Sequence, residues 1–333
     1  MTSATTAVTW PSGACDVAAP FHLGLVGAGR MGRTHLRALA DSSAVTIAAI
    51  AEPSAQVRST LTEHGRSVSA SFAEMQARTA LDGVLVAAPS DQHLPIIEEI
   101  AASGLPILCE KPCGLSSRQA LAAAGIAAGA GVRLQVAYWR RYVPALMALR
   151  SRVQAGELGV LHLVACYQWD ELPPSPEFRA HSGGIAIDMG VHEFDQLRWL
   201  TGQDIGTLAA VAAPLRSDAG VTGDVDSAQV LAELSGGTVG FVSLGRHHPA
   251  GDMARAEVFG TGGFERCDFL DPAEGERAQL AALRLQAEEF ARYARGADCS
   301  GATADDAVAA LRAAEQVTAA IPAISGSGSS AMA

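Results

Sequence analysis

Basic residues are scarce in this chain of 333 residues: lysine and arginine number 24 against 35 acids, a formal charge of −11. A field of that sign repels phosphate polymers and anionic membrane surfaces, so no nucleic-acid partner is expected. Long apolar runs are missing as well. No stretch approaches the roughly 18 to 20 residues that a bilayer span needs. The opening MTSATTAVTWPSGACDVAAP has neither the basic start nor the apolar core of a secretory signal, so a cytoplasmic protein without membrane contact is expected. Aromatic residues make up only 5%, and the six cysteines (Cys15, Cys109, Cys113, Cys166, Cys267 and Cys299) lack the pairing of a secreted framework or a four-ligand zinc site. No metal is expected. Cys109 and Cys113 are spaced C-x-x-x-C, neither a zinc knuckle nor a redox C-x-x-C, and the cysteines are read as small buried thiols.

What is present is globular: 49% hydrophobic and 18% charged residues, in a chain long enough for about two domains at roughly 150 residues each. Residues 1–20 and 325–333 are polar or breaker-rich and read as loose tails. Between Phe21 and residue 140, short apolar runs (HLGLV, VTIAAIA, GVLVAAP, PILCE, VRLQVAY) alternate with amphipathic segments. Continuous apolar strands between helices predict βαβ units, hence an α/β doubly wound parallel sheet of the Rossmann type. From 141 to 324 the pattern becomes a helix, a strand (LGVLHLVACYQW), a proline-rich loop, a helix and consecutive strands (TLAAVAAPL, SAQVLAELS, TVGFVSLG, RAEVFG), with two closing helices at Arg277–Arg295 and Ala304–Ala320. Strands in succession predict a second α+β domain with a mostly antiparallel open sheet.

Gly27, Gly29 and Gly32 form G-x-G-x-x-G between an apolar strand and a helix starting near Met31. The pattern provides a tight turn, close backbone approach to a pyrophosphate and helix N-terminal N–H groups facing the phosphates. It also calls for an acid at the end of the next strand, and Glu52 stands 20 residues beyond Gly32, directly after VTIAAIA. A carboxylate there accepts ribose hydroxyls and repels a 2′-phosphate. NAD is therefore preferred, with Ser54 and Arg58 leaving NADP as the lesser alternative. The cofactor-binding set is read as Gly27, Ala28, Gly29, Arg30, Met31, Gly32 and Glu52, joined by Ala88, Pro89, Ser90 and His93 at the end of the fourth strand and by Glu110 and Lys111 after the next. Ser90 and Asp91 read equally well as helix caps, and His93 as a partly exposed histidine.

Lys111, on that same strand edge, has a task if the substrate is an alcohol: its ammonium stabilises charge developing on the reacting oxygen. Taken alone, Glu110 and Lys111 read more readily as an exposed ion pair. In the second domain Asp188 and His192 are four apart; on a helix they share a face, where the carboxylate can orient the histidine as proton acceptor. Asp188 read by itself is equally a helix cap.

Together, G-x-G-x-M-G, Glu110-Lys111-Pro112, and Gly183-Gly184 followed by Asp188-x-x-x-His192, Asp195 and Arg198-Trp199-Leu200 resemble the glucose-fructose oxidoreductase, inositol dehydrogenase and MocA family. QVAYWRRYVPAL and ARAEVFGTGG fit it too, so the resemblance spans almost the whole folded chain. It implies Lys111, Asp188 and His192 as the catalytic trio: Lys111 anchoring the substrate oxygen, His192 as acid/base, and Asp188 positioning substrate or histidine. It further implies a homo-oligomer, dimer or tetramer, formed through the C-terminal sheet. His192-Glu193-Phe194-Asp195 is similar to the corresponding run of inositol dehydrogenases, which implies a cyclic polyol or sugar substrate oxidised with NAD. The chain departs from them at His247 to Asp252, where tyrosines are usual. Arg140, Tyr142, Tyr167, Trp169, His247 and His248 are the candidate substrate residues, each of which reads at least equally well as a packing or surface position. Two rivals share the fold: an NAD-assisted glycoside hydrolase and a non-catalytic NAD(P)-binding regulator.

Overall fold

The computed structural model describes residues 19–214, 224–270 and 274–321. The two tails assigned above, Cys15 included, lie almost wholly outside these residues.

Six apolar segments form the first sheet: β1 (Phe21–Val26), β2 (Val45–Ala51), β3 (Val68–Ser69), β4 (Gly83–Val86), β5 (Ile107–Glu110) and β6 (Leu134–Ala137). Their order is β3-β2-β1-β4-β5-β6, every pair parallel. Helices α1 (Arg30–Ala38), α2 (Ala55–Glu63), α3 (Phe72–Arg78), α4 (His93–Ala102) and α5 (Ser117–Ala130) connect them. Serines 54, 71 and 116 cap α2, α3 and α5 by accepting a backbone N–H three residues on. The strand order reverses between β1 and β4, the switch point at which such sheets hold their ligand.

The second sheet follows α6 (Pro144–Gln154) and comprises β7 (Leu161–Trp169), β8 (Ile205–Pro214), β9 (Val225–Leu234), β10 (Val239–Gly245), β11 (Met253–Gly260) and β12 (Gly263–Leu270), in the order β12-β11-β7-β10-β9-β8. Only β7 and β10 pair in parallel. β12 is an addition to the predicted strands: GFERCDFL alternates so that Cys267 and Phe269 are buried, but its charged outward residues hide the pattern. Between β7 and β8 lie α7 (Pro176–His181) and α8 (Val191–Thr201), and the described chain closes with α9 (Gly275–Ala294) and α10 (Ala304–Ala320).

The first sheet draws its strands from residues 21–137 and the second from residues 161–270, but the helices cross between them. On one face of the first sheet, Phe21, Leu23, Leu25 and Leu85 pack against Ala287, Phe290 and Ala291 of α9, with Phe21 and Phe290 edge to face at 6.1 Å. A helix from the far end of the chain therefore completes the nucleotide domain's core. Among the described cysteines, Cys109, Cys113, Cys166 and Cys267 are buried free thiols and Cys299 is partly buried. No helix among the described residues is long and apolar enough to cross a membrane.

Candidate active site

The fingerprint loop leaves β1 at Gly27, whose φ of +92° and close approach to the Ala87 carbonyl leave no room for a Cβ. Gly32 sits equally tightly on Gly27, where a Cβ would lie 2.2 Å from its carbonyl oxygen. Gly29 differs: a Cβ there would meet nothing within 4 Å. It lies at the N-terminus of α1, which has no side-chain cap and no acid in its first turn. Open space before uncapped N–H groups fits a pyrophosphate. Glu52 is buried at the end of β2; its Oε2 accepts the Ala28 N–H at 2.9 Å and its Oε1 that of Ser54 at 2.8 Å. The carboxylate is thereby fixed beside the fingerprint loop. Arg58 is held by the carbonyls of Glu52 (2.9 Å) and Pro53 (2.8 Å), which engage the guanidinium that a 2′-phosphate would need. The residues present fit NAD. Glu52→Ser is expected to weaken NAD roughly tenfold or more, the worth of a charge-assisted hydrogen bond, and to narrow the preference over NADP. Fluorescence titration with both dinucleotides checks this; an unchanged ratio of affinities overturns the assignment.

At the end of β4 the structure corrects the reading of His93. It is 1% exposed, with Nδ1 2.8 Å from the Pro112 carbonyl oxygen and Nε2 2.9 Å from that of Ala88. Burial outweighs these carbonyls and nearby Glu110 and holds its pKa below the ordinary value. His93 thus ties the Ala88–Pro89 segment to the Lys111 loop instead of facing the cofactor. Glu110 is also fixed: its Oε1 is 2.6 Å from Nε2 of the buried His35, and its Oε2 accepts the Lys111 N–H at 3.1 Å. The exposed-pair alternative for Glu110 and Lys111 does not hold.

Lys111 spans the two domains. Its ammonium donates to the Asp188 carbonyl oxygen at 2.6 Å and lies 3.9 Å from the Asp188 carboxylate, with a fifth of the side chain open to solvent. Asp188 and His192 do not share one α-helix. Asp188 lies in a π-helical turn, Ala186–Gly190, and His192 in the first turn of α8, whose N-cap Gly190 makes no side-chain cap bond. The wider turn breaks the i, i+4 relation. Asp188 is accordingly not a cap, and its carboxylate does not fix the His192 tautomer: it turns to Arg246 at 3.2 Å and Lys111, two cations that attract it more strongly than a neutral ring does.

His192 is buried with Nδ1 unpartnered, its ring edge-on to Tyr138 (5.8 Å) and Trp139 (6.4 Å). Burial first, then the Arg140 and Lys111 charges, pull its pKa well below the ordinary value. Arg140, expected in the pocket, is itself buried; it is ion-paired to Glu193 and donates to Gln168 Oε1 at 2.5 Å. It acts on His192 through its charge.

The other substrate candidates divide. Tyr142 is buried and accepts from Gln135 at 3.1 Å, which leaves it outside this cluster. Tyr167 and Trp169 stand on the outer face of the second sheet, Tyr167 against Phe241 at 5.7 Å and Trp169 donating to Ser243 at 2.9 Å. Even-numbered residues of β7 face the helices, so these two point away from Lys111. His247, half exposed, and His248, whose N–H donates to the Asp170 carbonyl at 2.9 Å, directly follow Arg246 and flank the site. Sequence reading missed Arg246, Asp224, Arg179 and His35. No spacing in the sequence marks these four; Lys111, by contrast, is the only lysine in the chain.

A dinucleotide-binding fold with a buried histidine and a lone lysine at the seam of two sheets defines an NAD-binding oxidoreductase. Two family models cover most of the chain: "Oxidoreductase family, NAD-binding Rossmann fold" matches residues 21–138 and "GFO/IDH/MocA C-terminal domain" residues 146–264. The chain belongs to the GFO/IDH/MocA oxidoreductases. It is 51% identical over 298 residues to the rhizopine catabolism protein MocA of Rhizobium meliloti, covering 90% of this chain and 94% of that protein. It is 32% identical over 257 residues to the inositol 2-dehydrogenase of Rhizobium meliloti strain 1021, covering 77% and 78%. Among solved structures, a myo-inositol dehydrogenase from Corynebacterium glutamicum superposes with a TM-score of 0.82 at 26% identity, covering 91% of this chain and 96% of that one.

Proposed function

We propose that the protein oxidises a secondary alcohol of a cyclic polyol or sugar, with Lys111, Asp188 and His192 at the reaction centre. The observation that carries this reading is the buried His192, its pKa lowered by burial and by the Arg140 and Lys111 charges, beside the cation that spans the two domains. Bound NAD supplies the hydride acceptor. The protein holds the dinucleotide on the N-terminus of α1 and on Glu52, orients the alcohol by a hydrogen bond from Lys111, and receives the hydroxyl proton at a ring nitrogen of His192. Lys111 stabilises the oxygen as its proton leaves. A neutral polyol suits one cation in an acidic chain better than an anionic substrate does.

Absorbance at the NADH band across inositols and common sugars tests the function. Net NADH from a free polyol is expected; hydrolysis of a glycoside without net NADH supports the hydrolase, and neither activity together with NAD binding supports the regulator.

A second copy of the chain is the partner proposed for the outer face of the second sheet. Val211 (73% exposed), Leu231 (55%) and Phe264 (52%) lie there, and Leu231 pairs across the sheet with Phe241 and Ala209. An apolar sheet face of this extent is rarely left to water. Sedimentation analysis is expected to give a dimer or larger, and Leu231→Arg to shift it toward monomer; a monomeric unsubstituted protein overturns the proposal.

A further inference from the structure

Arg246 is an arginine whose side chain is fully buried. A guanidinium without water persists only beside carboxylates, and it has two. Nη1 is 3.2 Å from Asp188 Oδ2, and Nη2 is 3.0 Å from Asp224 Oδ2. Asp224 is anchored in turn. The same Oδ2 meets Arg179 Nε at 3.0 Å, while Oδ1 accepts the N–H groups of Ile185 (2.9 Å) and Val225 (2.8 Å). Ile185 immediately precedes the π-helical turn that carries Asp188. Asp224 thus holds the front of that turn, and Arg246 holds the carboxylate it presents. Charges alternate along the line Lys111, Asp188, Arg246, Asp224, Arg179.

The two ends of Asp188 are divided between two cations. Lys111 takes the carbonyl oxygen at 2.6 Å, whereas its nearest approach to the carboxylate is a loose 3.9 Å. An unrestrained carboxylate that close to an ammonium would close to contact distance, because the attraction grows as the inverse of separation and more steeply away from water. Arg246 is the group that draws it the other way.

We propose that Arg246 is a positioning residue: it holds the Asp188 carboxylate back from Lys111, leaving the ammonium free to meet the substrate oxygen. The proposal rests on the reading of Lys111 as the substrate anchor, and its test is separable from that reading. Besides Asp188 and Arg246, the charged and titratable groups near Lys111 are Glu110, which accepts its N–H, and His192, Glu193 and Arg140 in the second half of the site.

Because Lys111 is the only lysine, reductive methylation with ¹³C-formaldehyde labels this side chain and the amino terminus alone. The signal that is lost in Lys111→Met identifies the lysine. In Arg246→Gln the Lys111 midpoint is expected to move up by about one unit relative to the unsubstituted protein, through loss of a neighbouring positive charge and closure of Asp188 onto the ammonium. Arg246→Lys, which retains the charge, is expected to move it by less than half as much. A midpoint that rises no more in Arg246→Gln than when the same substitution is made in Asp188→Asn overturns the proposal, including the case where activity falls, since loss of the charge alone raises both and only closure of Asp188 adds to the first. A shifted midpoint with Lys111→Met still active would retain the positioning and overturn the catalytic role of Lys111. If Arg246→Gln does not fold, the comparison is made in Asp188→Asn. Its midpoint is expected to fall by about one unit, and adding Arg246→Lys should change nothing further; a further change overturns the proposal.

Discussion

Replacing Lys111 with methionine is expected to lower kcat by about 10³-fold while leaving the NAD dissociation constant within about a factor of two. The first figure is the upper end of the worth of one donor aimed at a developing oxyanion, on the order of 10²- to 10³-fold. Methionine retains the length and apolar stem of the side chain and removes only the charge. The second figure follows from placement. The ammonium contacts the Asp188 carbonyl and carboxylate, whereas the groups that fit the dinucleotide are the α1 N-terminus and Glu52, on the other side of the switch point. Steady-state rates on the polyol found active in the NADH screen, with NAD binding followed by fluorescence, check both. A kcat within tenfold of the unsubstituted enzyme would remove Lys111 from the reaction centre.

His192→Gln carries the other large effect: a fall in kcat of about 10²- to 10⁴-fold, the usual contribution of a positioned general base. Its pH dependence is the sharper test. Burial and the Arg140 and Lys111 charges keep the imidazole neutral well below the ordinary histidine range, so kcat/KM should remain flat as pH falls through about 6.5 and decline only at lower pH. An acid limb at or above that value would assign the proton to another group. Stability shows the same sign. The unfolded chain binds a proton at His192 near pH 6.5 and the folded one does so only at lower pH, so stability is full above that value and is lost as pH falls below it. The loss approaches about 1.4 kcal/mol per pH unit and ends at the folded pKa. His192→Gln should remove that slope in denaturant titrations between pH 7 and 5; His93, lowered in the same direction, retains its own share.

Much of the site was readable in order along the chain because its parts are local. The spacing from Gly27 to Gly32 is dictated by one tight turn against Ala87, and Glu52 falls at the end of the adjacent strand, so both are matters of a few residues. Lys111 follows the strand that pairs with β4, and its place on the cofactor edge follows from strand order alone. Side chains whose role depends on distant partners were misread. Tyr167 and Trp169 look like pocket aromatics in sequence, yet the two-residue period of β7 turns them outward. His93 follows a strand end as a cofactor-facing residue would, but Pro112 and Ala88 converge on its ring. The π-helical turn at Ala186–Gly190 has no marker in the sequence, and it undoes the pairing inferred from the spacing of Asp188 and His192.

By itself, then, the sequence determined a two-sheet α/β architecture and an NAD fingerprint with its acid, and it singled out Lys111 and His192 as candidates for a reaction centre. Hydrophobic period, glycine geometry and residue chemistry are properties of short segments and need no knowledge of the rest. Only the tertiary structure decided that α9 completes the first sheet's core, that Asp188 answers to Arg246 instead of His192, and that burial and neighbouring cations lower the His192 pKa. Each of these depends on groups 58 or more residues apart brought together away from water, or on the burial that folding alone provides, where a charge's preference is set by its neighbours in space.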